Sequence, residues 1–235
     1  MPDDITSLSL DAIKRLLLTM ETLRGPCGCE WDRYQTPESL KKYILEEAYE
    51  VIEAIDRGDP LEVCEELGDL LLQIVFQAQI FREKGAFSMV EIADSINQKL
   101  LRRHPHIFIN TASESIDSDW ERIKTKELLD KGKSTSLRDR IPLSFPALKR
   151  AEKLAKALTR TTEVTQGVNK TCELAATEAL TQLNQQETKQ KITEQLIGDA
   201  LFELTNLAKF HGVDAEDSLR QAVDRRIKLY DEGST

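Results

Sequence analysis

Apolar residues recur at helical spacing along most of the first hundred positions. They stand three or four residues apart from Leu40 to Ile55, which is the repeat of an amphipathic helix. Thr36 and Pro37 are residue types favoured at a helix N-cap and at the first helical position, and Gly58 suits a helix end. The pattern therefore predicts a helix that starts after Thr36 and ends at Gly58.

Two more helices are predicted after this one. Asp59 is a predicted N-cap with Glu62 in the capping-box position, and Gly85 follows the apolar series. The same start signal recurs at Ser88, and Pro105 is expected to stop the helix that it opens. The connections between these helices are short, so neighbouring helices are predicted to pack antiparallel.

A first helix is predicted over about Leu10 to Leu23. Residues 24 to 35 contain Gly25, Pro26 and Gly28 and are predicted to be a loop. No segment shows the apolar and polar alternation of a strand. The fold class expected from these patterns is all-α, a helical bundle.

Residues 1–108 form the first predicted domain, 109–146 a connector with one helix, and 147–235 a second helical domain. Four helices are expected in the last part, at Ala147 to Thr159, about Lys170 to Leu183, Thr188 to Phe210 and Ala215 to Tyr230. The connector is rich in Ser, Thr, Gly and Pro, which is typical of a linking segment.

The second domain repeats local features of the first. Gly68-Asp69-Leu70-Leu71 is matched by Gly198-Asp199-Ala200-Leu201, about 130 positions later. Such a fixed offset indicates an internal duplication. Chance similarity of two amphipathic helices is the alternative, but Gly inside a helix costs roughly 1 kcal/mol and is seldom placed there without a reason.

Composition narrows the classes of partner. Asp and Glu number 41 against 32 Lys and Arg, a net charge of −9, so we expect no nucleic-acid binding, which needs clustered basic residues. Four cysteines are too few for a disulfide scaffold and favour a reducing compartment. No signal-peptide pattern or membrane-length apolar run is visible, so we expect a cytoplasmic protein without a membrane partner.

Acidic residues are concentrated on two successive helices. Helical spacing places Glu47 and Glu50 on one face, with Glu46 beside Glu50, and Glu66 and Asp69 on one face of the next helix. If the helices pack antiparallel, four carboxylates surround one point and repel one another. A hard divalent cation such as Mg²⁺ removes that conflict, because it prefers oxygen ligands.

Two alternatives to a bound cation stay open for these acidic residues. A run of glutamates is usually a solvated helix face, and salt bridges are a second alternative. Asp69 stands within the apolar run Leu67 to Leu72, where an unpaired charge is costly, and this favours a bound cation. An iron-carboxylate bundle is disfavoured, because the Glu-x-x-His pairs of such bundles are missing.

Two further features have a structural and a functional interpretation. Basic and amide side chains near the end of the fourth helix either complement the helix dipole or hold phosphate oxygens: Asn97, Lys99, Arg102 and Arg103. Trp31 either anchors the core, which its spacing favours, or stacks on a base.

Four separated motifs resemble the MazG family of all-α nucleoside triphosphate pyrophosphatases over about residues 10 to 108. In chain order they are Gly28-Cys29-Glu30-Trp31-Asp32 with Gln35-Thr36, Glu46-Glu47-x-x-Glu50, Glu66-x-x-Asp69-Leu70-Leu71, and Lys99-x-x-Arg102-Arg103-His104-Pro105-His106. Residues 143–153 and 197–230 resemble a second MazG domain.

The resemblance implies cleavage of nucleoside triphosphates to nucleoside monophosphate and pyrophosphate with Mg²⁺, by a homodimer. It implies metal ligands at Glu47, Glu50, Glu66 and Asp69, and catalytic roles for Glu46, Glu47 and Glu50, with Glu46 holding a second metal or orienting water. It implies substrate contacts from Trp31 near the base and from Asn97, Lys99, Arg102 and Arg103 at the phosphates.

The chain departs from the family pattern at two places. Glu30 stands where proline is usual. The second copy keeps few acids: only Glu173 remains of the first acidic motif, and Leu196 replaces the glutamate that should precede Asp199. Asp224, Leu229 and Tyr230 likewise replace the phosphate-side residues. The second copy is therefore predicted to be degenerate, a structural or dimerising domain. The alternative function is a catalytically silent helical dimer that binds nucleotides or another protein.

Overall fold

The computed structural model of the chain describes residues 2–108, 123, 125–130, 132, 136, 141–161, 174–175, 177–178, 181 and 190–233, and within these ranges all regular structure is helical. The all-α prediction is confirmed. The helices named below are α1 (Pro2–Arg24), α2 (Glu30–Tyr34), α3 (Lys41–Arg57), α4 (Pro60–Glu83), α5 (Met89–Arg103), α6 (Pro105–Phe108), α7 (Ala147–Thr161), α8 (Gln190–Phe210) and α9 (Ala215–Gly233).

Two predicted starts are wrong. Helix α1 begins at Pro2 rather than near Leu10. The apolar pattern does not reveal this start, because residues 5–10 are exposed and do not belong to the core. Helix α3 begins at Lys41 rather than after Thr36. Thr36 and Ser39 instead exchange hydrogen bonds, the Thr36 N–H donating to Ser39 Oγ at 3.0 Å and the Ser39 N–H to Thr36 Oγ1 at 3.2 Å, and this closes a separate turn.

The predicted loop over residues 24–35 contains the short helix α2, which is a further correction. Its first turn carries Glu30 and Asp32, which suit the positive end of the helix dipole. At its C-terminus, the Arg24 guanidinium donates hydrogen bonds to the carbonyl oxygens of Asp32 and Gln35. A five-residue helix stabilised by such a tertiary contact has no periodicity to detect.

The remaining helix ends of the first unit follow the predicted signals with one exception. Gly58 and Gly85 have φ of 78° and 67°, and Ser88 with Glu91 forms the predicted capping box. At the start of α4, Asp59 accepts a hydrogen bond from the Leu61 N–H at 2.9 Å. The capping box expected at Glu62 is wrong, because this side chain pairs with Arg57 at 3.3 Å.

Residues Met1–Trp120 and Glu121–Thr235 form two compact units. In the first unit, α4 lies at the centre and packs against α1, α3 and α5. The buried core where these helices meet consists of Met20, Leu40, Val75, Phe76 and Ile80.

In the second unit, α7 packs against α8 and α9. Ala155, Ala200 and Thr205 are buried. Between α7 and α8 lies an apolar cavity of about 500 Å³. Most of the predicted helix at 170 to 183 and most of the predicted connector fall outside the described residues. Among the described helices, none has both the length and the apolar character that crossing a bilayer requires.

Arg24 joins three elements of the first unit. Its guanidinium donates three hydrogen bonds to Glu83 of α4, of 2.9 and 3.2 Å from Nε and 2.7 Å from Nη2. It lies 5.5 Å from the centre of the Phe76 ring. The side chain is only 7% exposed. Hydrogen bonding to Arg24 holds the pKa of Glu83 below its usual value. The buried guanidinium of Arg24, with these partners, fixes α2 against α1 and α4.

We expect Arg24→Met to lower the free energy of unfolding by about 3 kcal/mol, because it leaves the carboxylate of Glu83 and two carbonyl oxygens without their donor. The matched control is Arg82→Met. Arg82 pairs with Glu21 where both side chains are about half exposed, so its loss costs less than about 1 kcal/mol. Urea unfolding of the wild type and the two variants measures both changes in the free energy of unfolding. Equal losses in the two variants would contradict the structural role given to Arg24.

Candidate functional site

The carboxylates of the first unit are brought together by the turn between α3 and α4. Gly58 adopts the left-handed conformation and its N–H donates to the carbonyls of Ala54 and Ile55, both at 3.1 Å. The chain then reverses at once into α4. Glu47 lies eleven residues before Gly58, and Asp69 lies eleven residues after it. Antiparallel packing therefore places these two residues at the same level.

Glu47, Glu66 and Asp69 form a group in which one carboxylate oxygen from each lies within 4.8 Å of the others. Glu47 and Glu66 are half-buried and Asp69 is exposed. We call these three residues the acidic group. Helix α3 supplies one member and α4 two, whereas the spacing predicts two from each helix.

The pKa of Glu47 is raised above its ordinary value. Partial burial is the largest cause, followed by a hydrogen bond between the carboxyls of Glu47 and Glu50 and by repulsion from Glu50, Asp69 and Glu46. The surroundings thus disfavour the ionised form of this carboxyl.

The pKa of Glu66 is raised for related reasons. Burial comes first, and repulsion from Glu50, Asp69, Glu65 and Glu62 follows. Two members of the acidic group therefore resist ionisation, because they are partly buried and because negative charge is crowded around them. A positive ion bound there would reverse the shift.

The donor chemistry of the acidic group fits a hard divalent cation. All three donors are carboxylate oxygens, which Mg²⁺ prefers, and three protein ligands leave positions for water and for phosphate oxygens. Zinc and iron sites normally include nitrogen or sulfur ligands. No histidine or cysteine joins this group among the described residues.

Glu50 and Glu46 lie beside the acidic group. Glu50 is outside the set of oxygens within 4.8 Å, although its carboxyl is close enough to affect the pKa of both Glu47 and Glu66. Glu46 is exposed and adds to the repulsion on Glu47. The structure thus brings three of the four predicted ligands together and leaves the fourth adjacent.

The segment before α2 is shaped by Gly28. A Cβ atom at this position would lie 2.1 Å from the carbonyl oxygen of Leu23, so only glycine fits. The N–H of Cys29 donates to the same Leu23 oxygen at 2.8 Å. These contacts start α2 directly against the end of α1. The thiols of Cys27 and Cys29 are free and exposed.

Trp31 of α2 lies partly on the core and partly in solvent. Its ring meets Tyr43 and Phe76 edge-on, with centroids 6.3 and 6.4 Å apart. It is nevertheless 53% exposed, more than a core anchor would be. Gln35 Nε2 donates to the Trp31 carbonyl at 3.1 Å. The exposed part of the indole is available for stacking.

The basic residues lie on the last turns of α5, which packs against α4. Lys99 and Arg103 stand four residues apart, share a helix face and are half-buried. Asn97 and Arg102 are exposed and lie off that face. At the end of α5, the His104 ring is 2.8 Å from the Leu100 carbonyl oxygen. Helix α5 ends at Arg103, just before Pro105, which is the stop that the sequence predicts.

Three residues of this region belong to no recognisable motif, and the sequence analysis does not identify them as part of the site. Tyr43 and Arg24 read only as parts of helices, yet both position Trp31 and its helix. Gln73 is 6% exposed, and its Oε1 is buried without a hydrogen-bond partner. A signal for Gln73 is present in the sequence, since it is a glutamine inside the apolar run of α4, one turn after Asp69.

The second unit shows no comparable group among its described residues. Asp199 is exposed on α8 and Leu196 is half-buried. Asp224, Leu229 and Tyr230 are exposed on α9. Glu173 falls outside the described residues.

Comparisons with known proteins agree with the motifs. Residues 35–108 match the family model described as MazG nucleotide pyrophosphohydrolase domain. The nucleoside triphosphate pyrophosphohydrolase/pyrophosphatase MazG of Thermotoga maritima is 41% identical over 220 residues, which cover 92% of this chain and 83% of that protein.

Two further relatives extend the agreement. The nucleoside triphosphate pyrophosphohydrolase of Escherichia coli strain K12 is 40% identical over 92% of this chain and 84% of its own length. A protein of the same description from Mycobacterium tuberculosis is 32% identical over 87% of this chain and 52% of its own length. Because the agreement extends over most of the chain, the protein belongs to the MazG nucleotide pyrophosphohydrolase family.

Proposed function

We propose that this protein hydrolyses ribo- or deoxyribonucleoside triphosphates to the nucleoside monophosphate and pyrophosphate, at a Mg²⁺ centre held by Glu47, Glu66 and Asp69. The observation that carries the proposal is the convergence of these carboxylate oxygens within 4.8 Å, in the part of the chain that matches the family model. The names of the relatives support the reaction type.

The reaction adds water across the anhydride bond between the α- and β-phosphates. Bound Mg²⁺ would polarise the phosphate oxygens and neutralise their charge. Glu50 and Glu46 lie beside the acidic group, where one carboxylate can complete the ligand set and the other can orient the attacking water and accept its proton. Lys99 and Arg103 share a face of α5 and are assigned to the phosphate oxygens of the departing pyrophosphate.

The base is assigned to the exposed part of Trp31, whose ring meets those of Tyr43 and Phe76 in T-shaped contacts. Asn97 and Arg102, which lie off the Lys99 face, are assigned to more distant phosphate or solvent contacts. The free thiols of Cys27, Cys29 and Cys64 suit a reducing compartment, and we place the reaction in the cytoplasm.

The second unit is proposed to be a degenerate copy without a metal centre. Asp199 repeats the position of Asp69 after a helical glycine, but Leu196 stands where the partner glutamate is needed. A single exposed carboxylate does not hold Mg²⁺ in the presence of water. The unit is left with a structural role.

The first test is removal of single carboxylates. Glu47→Gln and Asp69→Asn are expected to lower kcat/KM for Mg²⁺-dependent pyrophosphate release by about 100-fold or more, because each removes a charge from the metal centre. Release is measured with a coupled pyrophosphate assay, and circular dichroism checks that the fold is intact.

The matched control for that test is Asp199→Asn, which makes the same chemical change at the repeated position and should leave kcat/KM unchanged. Full turnover in both first-unit variants would remove this mechanism. Tight binding of Mg²⁺-nucleotide by the wild type without any product would instead favour the silent nucleotide-binding dimer.

The second test concerns the effect of Mg²⁺ on stability at different pH. The pKa values of Glu47 and Glu66 are raised in the fold above the ordinary value of 4.5. The metal-free protein therefore loses stability as the pH rises from 4.5 through the raised values. Mg²⁺ at 100 times its Kd should add about 2.7 kcal/mol above this range, and protons should abolish the gain as the pH falls through it.

Thermal unfolding with Mg²⁺ or with EDTA, between pH 4 and pH 8, measures this dependence. In Glu47→Gln the Mg²⁺-induced rise in melting temperature should be small at every pH. A rise of the same size at pH 4 and pH 8 would show that the carboxylates are not the ligands.

A homodimer is the proposed assembly. Helix α3 carries exposed aliphatic residues along one side, and large exposed apolar surfaces typically mark interfaces. These residues are Ile44, Leu45, Ile52 and Ile55. On the opposite side of the same helix, Glu53 pairs with Arg57.

The third test of function is therefore the oligomeric state. The wild type should sediment as a dimer, and Ile52→Glu should shift it to monomer, because a charge on the aliphatic side opposes burial. Glu53→Lys changes the charge on the other side of α3 and should leave the dimer intact. A wild-type monomer at micromolar concentration in analytical ultracentrifugation would contradict the dimer.

A further inference from the structure

Gln73 has an energetic cost that the fold of the first unit does not explain. It is 94% buried, since only 6% of it is exposed, and its Oε1 accepts no hydrogen bond. Among the described residues, no other buried side-chain nitrogen or oxygen lacks a partner. An unsatisfied buried acceptor costs about 1 to 3 kcal/mol. Methionine or leucine would fill this position without that cost, so the amide needs another reason.

The position of Gln73 along α4 supplies one. Glu66, Asp69 and Gln73 stand at intervals of three and four residues and share one face of the helix. With a rise of 1.5 Å per residue, Gln73 lies about 6 Å beyond Asp69 along the helix axis, and Phe76 lies about 4.5 Å further. Phe76 is the residue on whose ring Trp31 packs, with centroids 6.4 Å apart.

Gln73 is thus at an intermediate level on α4, between the acidic group and the aromatic contact of Trp31. In the proposed function these are the phosphate end and the base end of the substrate. The sugar joins the two parts of a nucleotide, so it must pass the level of Gln73. Asp69 is exposed at one end of this stretch, and Trp31 is 53% exposed at the other, so both ends are open to a ligand.

The chemistry of the unpaired atom matches the sugar. Oε1 of glutamine is a hydrogen-bond acceptor, so it needs a donor. Ionised phosphate oxygens have no proton to donate, and the face of a stacked base presents none. A sugar hydroxyl is a donor at the required level.

We propose that Gln73 is a substrate-binding residue whose Oε1 accepts a hydrogen bond from a hydroxyl of the nucleotide sugar. The inference rests on the proposed function and adds the sugar contact to it. The unpaired acceptor of the free protein is then satisfied only in the complex, and a nucleotide without that hydroxyl leaves it unsatisfied.

The test compares three substrates with one base: the ribonucleotide, the 2′-deoxyribonucleotide and the 2′,3′-dideoxyribonucleotide, each as the Mg²⁺-triphosphate. For the wild type, KM should rise about 10-fold at the step that removes the contacted hydroxyl, with kcat changed less. In Gln73→Met, which keeps the length of the side chain and removes the amide, that step in KM should disappear.

The matched control is Gln77→Met, one turn further along α4. The Nε2 of Gln77 donates to the Pro37 carbonyl at 3.3 Å, so its amide already has a structural partner, and the dependence on the sugar should persist. Thermal unfolding separates binding from folding. Gln73→Met should melt no lower than the wild type, because the apolar side chain removes an unsatisfied group, whereas Gln77→Met should melt lower.

Three outcomes would overturn the inference: a wild type that treats the three sugars alike, an equal loss for all three in Gln73→Met, or a change only in the Mg²⁺ concentration needed for activity. A change only in the Mg²⁺ requirement would indicate that the Gln73 amide acts on the metal centre and not on the sugar. These outcomes are distinct from failure of the proposed function, in which Glu47→Gln retains turnover. Turnover that depends on Glu47 but shows no sugar step at Gln73 rejects this inference alone.

Discussion

The packing of α3 against α4 holds three carboxylates together although they repel one another. Glu47, Glu66 and Asp69 lie within 4.8 Å, and burial and repulsion raise the pKa of both glutamates. Apolar packing below them keeps the helices in register despite this cost, through residues such as Leu40 and Phe76. The fold thus favours the binding of a cation, because crowded carboxylates would be stabilised more by a positive ion than separate carboxylates would.

The same core supports the aromatic end of the site. Phe76 is contacted by the Trp31 ring and by the Arg24 guanidinium, and Arg24 also binds the carbonyl oxygens at the end of α2. The acidic group and Trp31 are therefore both positioned by residues of α4. Because one helix carries both Asp69 and Phe76, the spacing between the acidic group and the Phe76 contact of Trp31 is fixed by helical rise.

The sequence predicts those features that depend on regular spacing. The helices of the first unit follow from apolar periodicity, and the acidic group follows from intervals of three and four residues on adjacent helices. The predictions for α2 and for the start of α3 are wrong, because both depend on hydrogen bonds between distant or irregular residues, such as those from Arg24 and between Thr36 and Ser39. The buried state of Gln73 is not predicted either, although it stands inside the apolar run of α4, since a glutamine is usually exposed.

Both units have an aspartate after a helical glycine, and they differ in the acids that surround it. Asp69 and Asp199 both follow a helical glycine at which an added Cβ would meet nothing within 4 Å, and both are exposed. Asp69 has Glu66 one turn before it and Glu47 across from it. Asp199 has Leu196 one turn before it, and the described residues of its unit form no comparable acidic group. A lone exposed carboxylate is stable in water, whereas a cation would relieve the repulsion in the crowded group of the first unit.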